Sequence, residues 1–263
     1  MLGTNWLLEK LRNTSESCIG TWITLPSPEL VDVICSAGPD FVVIDTEHAP
    51  LSLETAQLMS MACVSRKVSP VYRVPGAISD RIVPALEIGS HAIQAPNIST
   101  AAEASFFVKA ARYQPVGLRG LSPYTRACNY SAAFADKIIQ TANQNTLLIA
   151  QVEGADGIKN IDEILSVQGI DICFLGLYDL SNCLNVPGQL DHPELLKLFS
   201  ILVNKIGNAG VIVGSIANNQ SQLKFLKNSG VRYITYSADC HVMSNAYREI
   251  FKPENLQIEN RGK

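Results

Sequence analysis

The sequence predicts a (β/α)8 barrel, on three observations. Short apolar runs alternate with helical patterns eight times along 263 residues, close to the length of about 250 that such a barrel takes. The run Phe41-Val42-Val43-Ile44 is apolar and largely β-branched, as a parallel strand buried on both faces must be. Strand after strand then passes directly into polar groups: Asp45-Thr46-Glu47-His48-Ala49-Pro50, Arg73, Gln151-Val152-Glu153 and Tyr178-Asp179. A barrel brings all of these C-terminal ends to one face. An open doubly wound sheet would alternate too, but no G-x-G-x-x-G follows the first strand, which counts against a nucleotide-binding version.

Taken in order, Trp6, Leu7, Leu8 and Leu11 mixed with Glu9, Lys10 and Arg12 predict an amphipathic starting helix. Ile19–Ile23 reads as the first strand, and Ser27-Pro28-Glu29 opens a helix that ends at Gly38. The second strand, Phe41–Ile44, leads into a helix from Leu51 to Ser65 with Ser52 as its cap. Val71–Val74 is the third strand, followed by a helix from Ser79 that closes at Gly89. His91–Ala95 is the fourth, with Ser99 capping Thr100 to Ala111. Arg112 to Ala133 is too rich in Pro and Gly for helix or central strand, and a loop of that length inside a compact domain usually carries function. Leu147–Val152 and Ile170–Leu175 are the fifth and sixth strands, with a helix from Ala155 to Ser166 between them and one from Pro193 to Asn208 after an irregular stretch. Val211–Gly214 and Tyr233–Ser237 complete the eight, with a helix from Asn219 to Ser229 between. Residues 1–263 are therefore read as one domain, with Lys252 to Lys263 a polar tail that is an oligomer arm or disordered.

The totals narrow the function. A net charge of -3 without a basic run gives no electrostatic case for nucleic acid or an anionic membrane, and no apolar stretch approaches the ~20 residues of a membrane span. Small molecules are the expected partners. The seven cysteines are odd in number and scattered, with no C-x-x-C pair, as in a reduced cytoplasmic protein.

Glu153 and Asp179 end neighbouring strands, where two carboxylates repel unless a cation lies between them. That predicts a Mg²⁺ or Mn²⁺ site completed by water and substrate oxygens; the plainer reading is a pair of helix-capping acids. Arg73 has no acid beside it in sequence, so it is either a surface ion pair or a grip on a substrate oxygen anion. His91, His192 and His241 are read as structural.

Four stretches in order, Asp45 to Pro50, Arg73-Val74-Pro75, Arg112-Tyr113-Gln114-Pro115-Val116-Gly117-Leu118-Arg119-Gly120 and Gly176-Leu177-Tyr178-Asp179-Leu180-Ser181, resemble the HpcH/HpaI aldolases, metal-dependent class II pyruvate aldolases. The resemblance runs from about Gly20 to Asp239. It implies Glu153 and Asp179 as ligands of Mg²⁺ or Mn²⁺, His48 as a base acting through water, and Arg73 on the enolate oxygen. It also implies Gln151 beside the metal, the backbone amides of Tyr178 and Asp179 as receivers of the substrate carboxylate, and a homo-oligomer, a hexamer in this family. Where the family has Leu-Asp-x-Gly, with an Asp that pairs with the catalytic His, this chain has Leu86-Glu87-Ile88-Gly89, which makes Glu87 the expected partner of His48. Gln114 replaces a usual proline, and Leu184-Asn185 a usual Leu-Gly. The expected reaction joins or separates a pyruvate-type enolate and an aldehyde. Two alternatives stay open: condensation of oxaloacetate with acetyl-CoA, as in a siderophore-forming branch of the family, and a silent barrel that only binds a ligand.

Overall fold

The structure is a computed structural model that describes residues 4–252, the side chains of 134–136 apart. Eight parallel strands close in sequence order into a barrel: β1 (Cys18–Ile23), β2 (Phe41–Asp45), β3 (Ser69–Arg73), β4 (Ala92–Ala95), β5 (Leu147–Val152), β6 (Ile172–Leu175), β7 (Ile212–Ala217) and β8 (Tyr233–Ala238). The expected (β/α)8 fold is the observed one.

Among the described residues twelve α-helices pack on the barrel: α1 (Trp6–Asn13), α2 (Pro28–Ser36), α3 (Leu53–Ser65), α4 (Ser79–Glu87), α5 (Ala101–Ala111), α6 (Ala135–Asn145), α7 (Ala155–Lys159), α8 (Ile161–Leu165), α9 (Leu177–Cys183), α10 (Pro193–Asn208), α11 (Gln220–Asn228) and α12 (Asp239–Ile250). Caps set several starts. Ser27 accepts from the Leu30 amide and is followed by Pro28, and Ser52 accepts from the Thr55 amide. The cap of α5 is Thr100 rather than Ser99, because Thr100 and Glu103 form a reciprocal capping box one residue later. The helix expected from Ala155 to Ser166 is two short ones that meet at Asn160, whose side-chain amide donates to the Ser99 carbonyl at 2.9 Å. Helices α6 and α9 lie where no helix was predicted. The expected polar tail from Lys252 lies, that residue apart, outside the described residues.

Strand parity separates two cores. Val42, Ile44, Ile93, Leu148, Ala150 and Cys173 face the helices, whereas Phe41, Val43, Val71, Ile149, Phe174 and Tyr233 fill the barrel. Phe41 and Tyr233 stack there at 4.2 Å between ring centroids. Below them, α1 plugs the N-terminal end with Leu7, Leu8 and Leu11. It is pinned by Asn5, whose amide donates to the carbonyls of His91 at 2.8 Å and Asn145 at 2.6 Å. Continuing the same parity upward, β2 turns Asp45 inward above Val43, β3 turns Arg73 inward above Val71, and β5 turns Gln151 inward above Ile149.

The loop expected to carry function, Arg112 to Ala133, follows α5 and so lies at the opposite, N-terminal end of the barrel. Arg112 donates there to the Thr146 carbonyl at 2.8 Å and to Asp171 at 3.2 Å. Arg119 is buried over the Tyr113 ring, 4.4 Å from its centroid, with Nε and one terminal nitrogen unpaired. Val116, Leu118, Tyr124 and Tyr130 are exposed around it. Of α12 only Asp239 is buried, leaving Val242, Met243, Tyr247 and Ile250 open. The seven cysteines are free thiols, five of them buried. Among the described residues no helix is long and apolar enough to cross a membrane.

Candidate active site

A cavity of about 520 Å³ opens at the C-terminal mouth of the barrel, and Asp45, Glu47, His48, Arg73, Gln151, Glu153, Tyr178 and Asp179 all line it. All eight come from the ends of β2, β3 and β5, the residues just past them, and the helix beyond β6; the sense of the βα units places them together.

Arg73 has acidic neighbours that the linear sequence did not reveal. Its register partner on β2 is Asp45. Nε donates to Asp45 Oδ1 at 2.8 Å and one terminal nitrogen to Oδ2 at 2.6 Å, both buried. The other terminal nitrogen lies 3.1 Å from Glu47 Oε2. The Trp22 ring covers the guanidinium at 4.2 Å. A surface ion pair is excluded: Arg73 is a buried, bidentate one. Asp45 also accepts from the backbone amide of Glu47 at 3.0 Å and, more loosely, from that of His48 at 3.4 Å, which shapes the loop that carries the imidazole.

Glu153 is held by a relay. Gln94 donates to Gln151 Oε1 at 2.7 Å, Gln151 donates to Glu153 Oε2 at 2.5 Å, and the backbone amide of Asn97 donates to Oε1 at 3.0 Å. Burial pushes the Glu153 carboxyl above the usual carboxylate range; the charges of Asp179 and Glu47 push the same way, against the two hydrogen bonds. Asp179 faces it across Gly176. A Cβ on Gly176 would meet Asp179 Oδ2 at 3.1 Å and Glu153 Oε2 at 3.2 Å, so both oxygens border one point that only glycine leaves open. Glu47 Oε2, buried nearby, has the ion pair with Arg73 as its polar contact and makes no well-aligned hydrogen bond. Two carboxylates around a glycine-sized gap, one of them disfavoured as a charge by burial, form a donor set suited to a hard divalent cation with water and substrate oxygens. Among the described residues no three His, Cys, Asp or Glu side chains form a ready-made ligand cluster, so the protein would supply two ligands rather than a full shell.

The first intrahelical bond of α9 runs from the Leu180 amide to the Gly176 carbonyl. The amides of Tyr178 and Asp179 precede it and point out of the helix start, free of that ladder.

His48 sits on the loop beyond β2, exposed, with Glu47 Oε2 3.9 Å from Nε2. The expected pairing with Glu87 is not made within one chain. Helix α4 descends from the mouth, and Glu87 is its last residue, at the N-terminal end beside Arg119 and Tyr113, whose ionisation its charge influences. His91 is structural as expected: Nδ1 is 3.0 Å from the Ser69 hydroxyl, and the ring lies against Trp6. Asp45, Glu47, Gln94 and Asn97 had no role assigned from sequence. Parity on β2 and β4 was the available signal for Asp45 and Gln94; Asn97 acts through its backbone amide and leaves no signal.

Residues 18–246 match the profile of HpcH/HpaI aldolase/citrate lyase. A hydroxypyruvate/pyruvate aldolase of Roseobacter denitrificans is 29% identical over 243 residues, 92% of this chain and 94% of that one. A 5-keto-4-deoxy-D-glucarate aldolase of Escherichia coli strain K12 is 31% identical over 232 residues, 88% of this chain and 90% of that one. The crystal structure of the citrate synthase SbnG superposes with a TM-score of 0.84 at 27% identity, covering 94% of this chain and 96% of that one.

Proposed function

The chain belongs to the HpcH/HpaI aldolase/citrate lyase family and is a carbon–carbon lyase, and we propose that it cleaves and forms 2-oxo acids by aldol chemistry, with pyruvate and an aldehyde as the two halves. The observation that carries this reading is the pairing of Glu153 with Asp179 across Gly176, facing the Asp45-bound Arg73 over one cavity.

Glu153 and Asp179 would hold Mg²⁺ or Mn²⁺, which when bound supplies positive charge that polarises a 2-oxo group. Gln151 keeps the Glu153 carboxylate turned toward that position. The Tyr178 and Asp179 amides receive the substrate carboxylate at the start of α9. Arg73 has two of its N–H bonds on Asp45 and one terminal nitrogen beside Glu47, and the terminal hydrogens left over serve the oxygen that gains charge as the enolate develops. Asp45 fixes that geometry in advance, so the stabilising charge needs no reorganisation during the reaction. His48 moves the proton at the aldehyde-derived hydroxyl through a water, a role its exposed position permits.

The partner acid of His48 comes from another subunit in this reading, because Glu87 of the same chain lies at the far end of the barrel. The exposed apolar side chains of the Val116 to Tyr130 segment next to it, and those of α12, support a homo-oligomer.

The likeness to the citrate synthase favours a second reading, condensation of oxaloacetate with an acetyl thioester at the same site. One experiment separates them. Metal-loaded protein is incubated with pyruvate and a panel of aldehydes, and in parallel with oxaloacetate and acetyl-CoA, and products are identified by mass. Aldol adducts without thioester consumption are expected; citrate with release of free CoA would replace the aldolase reading by the second.

A further inference from the structure

The cavity has two unlike sides. Toward β2, β3 and β5 it is charged, with Asp45, Glu47, Arg73 and Glu153. Toward β6, β7, β8 and β1 its wall is apolar, built from Phe174, Leu177, Ile216, Ala238 and Trp22. Thr24 also lines that side, but its hydroxyl donates to Asp239 at 2.7 Å. The remaining polar side chains there are Asp179, assigned above to the cation, and Tyr178, second residue of α9, half exposed to the cavity mouth. Its ring does not swing freely: Asn218, just past the end of β7, is bonded to the Tyr178 oxygen at 2.8 Å. The Asn218 backbone amide is in turn bonded to Gln222 at 2.9 Å, in the first turn of α11. Phenol and carboxamide share one hydrogen bond. Whichever way the amide is turned, the pair keeps two N–H or O–H donors and free oxygen lone pairs for a ligand.

We propose that Tyr178, positioned by Asn218, is the specificity-determining residue for the acceptor, favouring aldehydes that carry an oxygen on the carbon beside the carbonyl over alkyl aldehydes of the same size. The inference rests on the aldolase reading. A carboxylate received by the amides at the start of α9 places the donor half next to the Tyr178 ring, so the acceptor shares the cavity with that ring. A hydroxyl on the acceptor that enters the apolar side meets a partner at Tyr178; an alkyl group there leaves the phenol and amide without a ligand to pair. A charged acceptor group has the opposite side to turn to, and the selection by Tyr178 is therefore for neutral oxygen substituents.

The test uses the full chain loaded with Mn²⁺, pyruvate as donor, and glycolaldehyde against propanal, which match in heavy-atom count. The ratio of their kcat/KM values is measured for the wild type, Tyr178→Phe and Asn218→Ala. The wild type is expected to prefer glycolaldehyde, and Tyr178→Phe to reduce that ratio about five- to tenfold, the worth of one neutral hydrogen bond. Asn218→Ala is expected to fall between, since the hydroxyl remains and only its anchor is gone. A ratio within twofold of wild type in Tyr178→Phe overturns the proposal. Exchange of the pyruvate methyl protons in D₂O without any acceptor is followed on the same samples. Exchange with an unchanged ratio refutes the role of Tyr178 alone, whereas absence of exchange in the wild type refutes the aldolase reading and this inference with it.

Discussion

Asp45 holds Arg73 with both carboxylate oxygens, at 2.8 Å and 2.6 Å, on adjacent strands whose register sets the two residues side by side. A planar fork matched to a carboxylate and covered by Trp22 is not reproduced by an ammonium. Arg73→Lys is expected to lower kcat about 100-fold with a smaller effect on KM. Asp45→Ala, which removes the bidentate partner of a buried cation and leaves it Glu47 alone, should cost about 3 kcal/mol of stability by denaturant unfolding. An effect of Arg73→Lys confined to KM would reassign the guanidinium to ground-state binding.

Gly176 leaves the space that Glu153 Oε2 and Asp179 Oδ2 border. Gly176→Ala should weaken Mn²⁺ binding about 10- to 100-fold in an EPR titration, by displacing one of the two carboxylates. Its φ lies in the ordinary extended region, so the fold should survive the substitution. Mn²⁺ affinity equal to wild type would place the metal elsewhere.

His48 and Glu87 lie at opposite ends of one barrel, so the proposed pairing would have to be made between subunits. Inactive His48→Ala and inactive Glu87→Ala proteins, mixed and allowed to exchange subunits, should recover part of the activity through mixed sites. Glu87→Gln should shift the acidic limb of the pH–rate profile to lower pH and reduce kcat, and Glu87→Asp should retain much of both. No recovery on mixing, with subunit exchange verified, would leave His48 without Glu87.

Burial lowers the pKa of His91 from the ordinary 6.5 to about 3. The folded ring therefore stays neutral while the unfolded chain takes up a proton near pH 6.5, so the stabilisation is complete above that value and is lost as pH falls toward 3. The slope within that window is about 1.4 kcal/mol per pH unit. His91→Gln should start less stable at pH 7.5, having lost the Trp6 and Ser69 contacts, yet lose less stability on going to pH 5. Parallel curves would show that His91 takes up a proton without unfolding.

The barrel was legible because strand and helix periods, caps and punctuation all agree along the chain. Ser27 with Pro28 and Ser52 mark helix starts that the structure keeps. Where neighbouring residues compete for one role the sequence is less decisive, as with Ser99 and Thr100, which Glu103 settles through the capping box. The cavity brings together His48, Arg73, Gln151, Glu153, Tyr178 and Asp179 because all lie at or just beyond the C-terminal ends of strands, and strand ends are readable. Glu87 was drawn to His48 by likeness alone, and the direction of α4 parts them within a chain. The ion pairs of Arg73 were hidden because Asp45 is a neighbour through inter-strand register, which spacing along the chain does not encode.

The loss of pyruvate methyl protons in D₂O, followed by NMR without any acceptor, tests most directly whether this cavity forms a pyruvate enolate with a divalent cation. Exchange is expected with Mg²⁺ or Mn²⁺, abolished by EDTA, restored by adding the cation back, and absent in Glu153→Gln and Asp179→Asn proteins of unchanged circular dichroism. Full-rate exchange in EDTA, or undiminished exchange in either variant, would contradict the assignment of Glu153 and Asp179 as the pair that holds the cation.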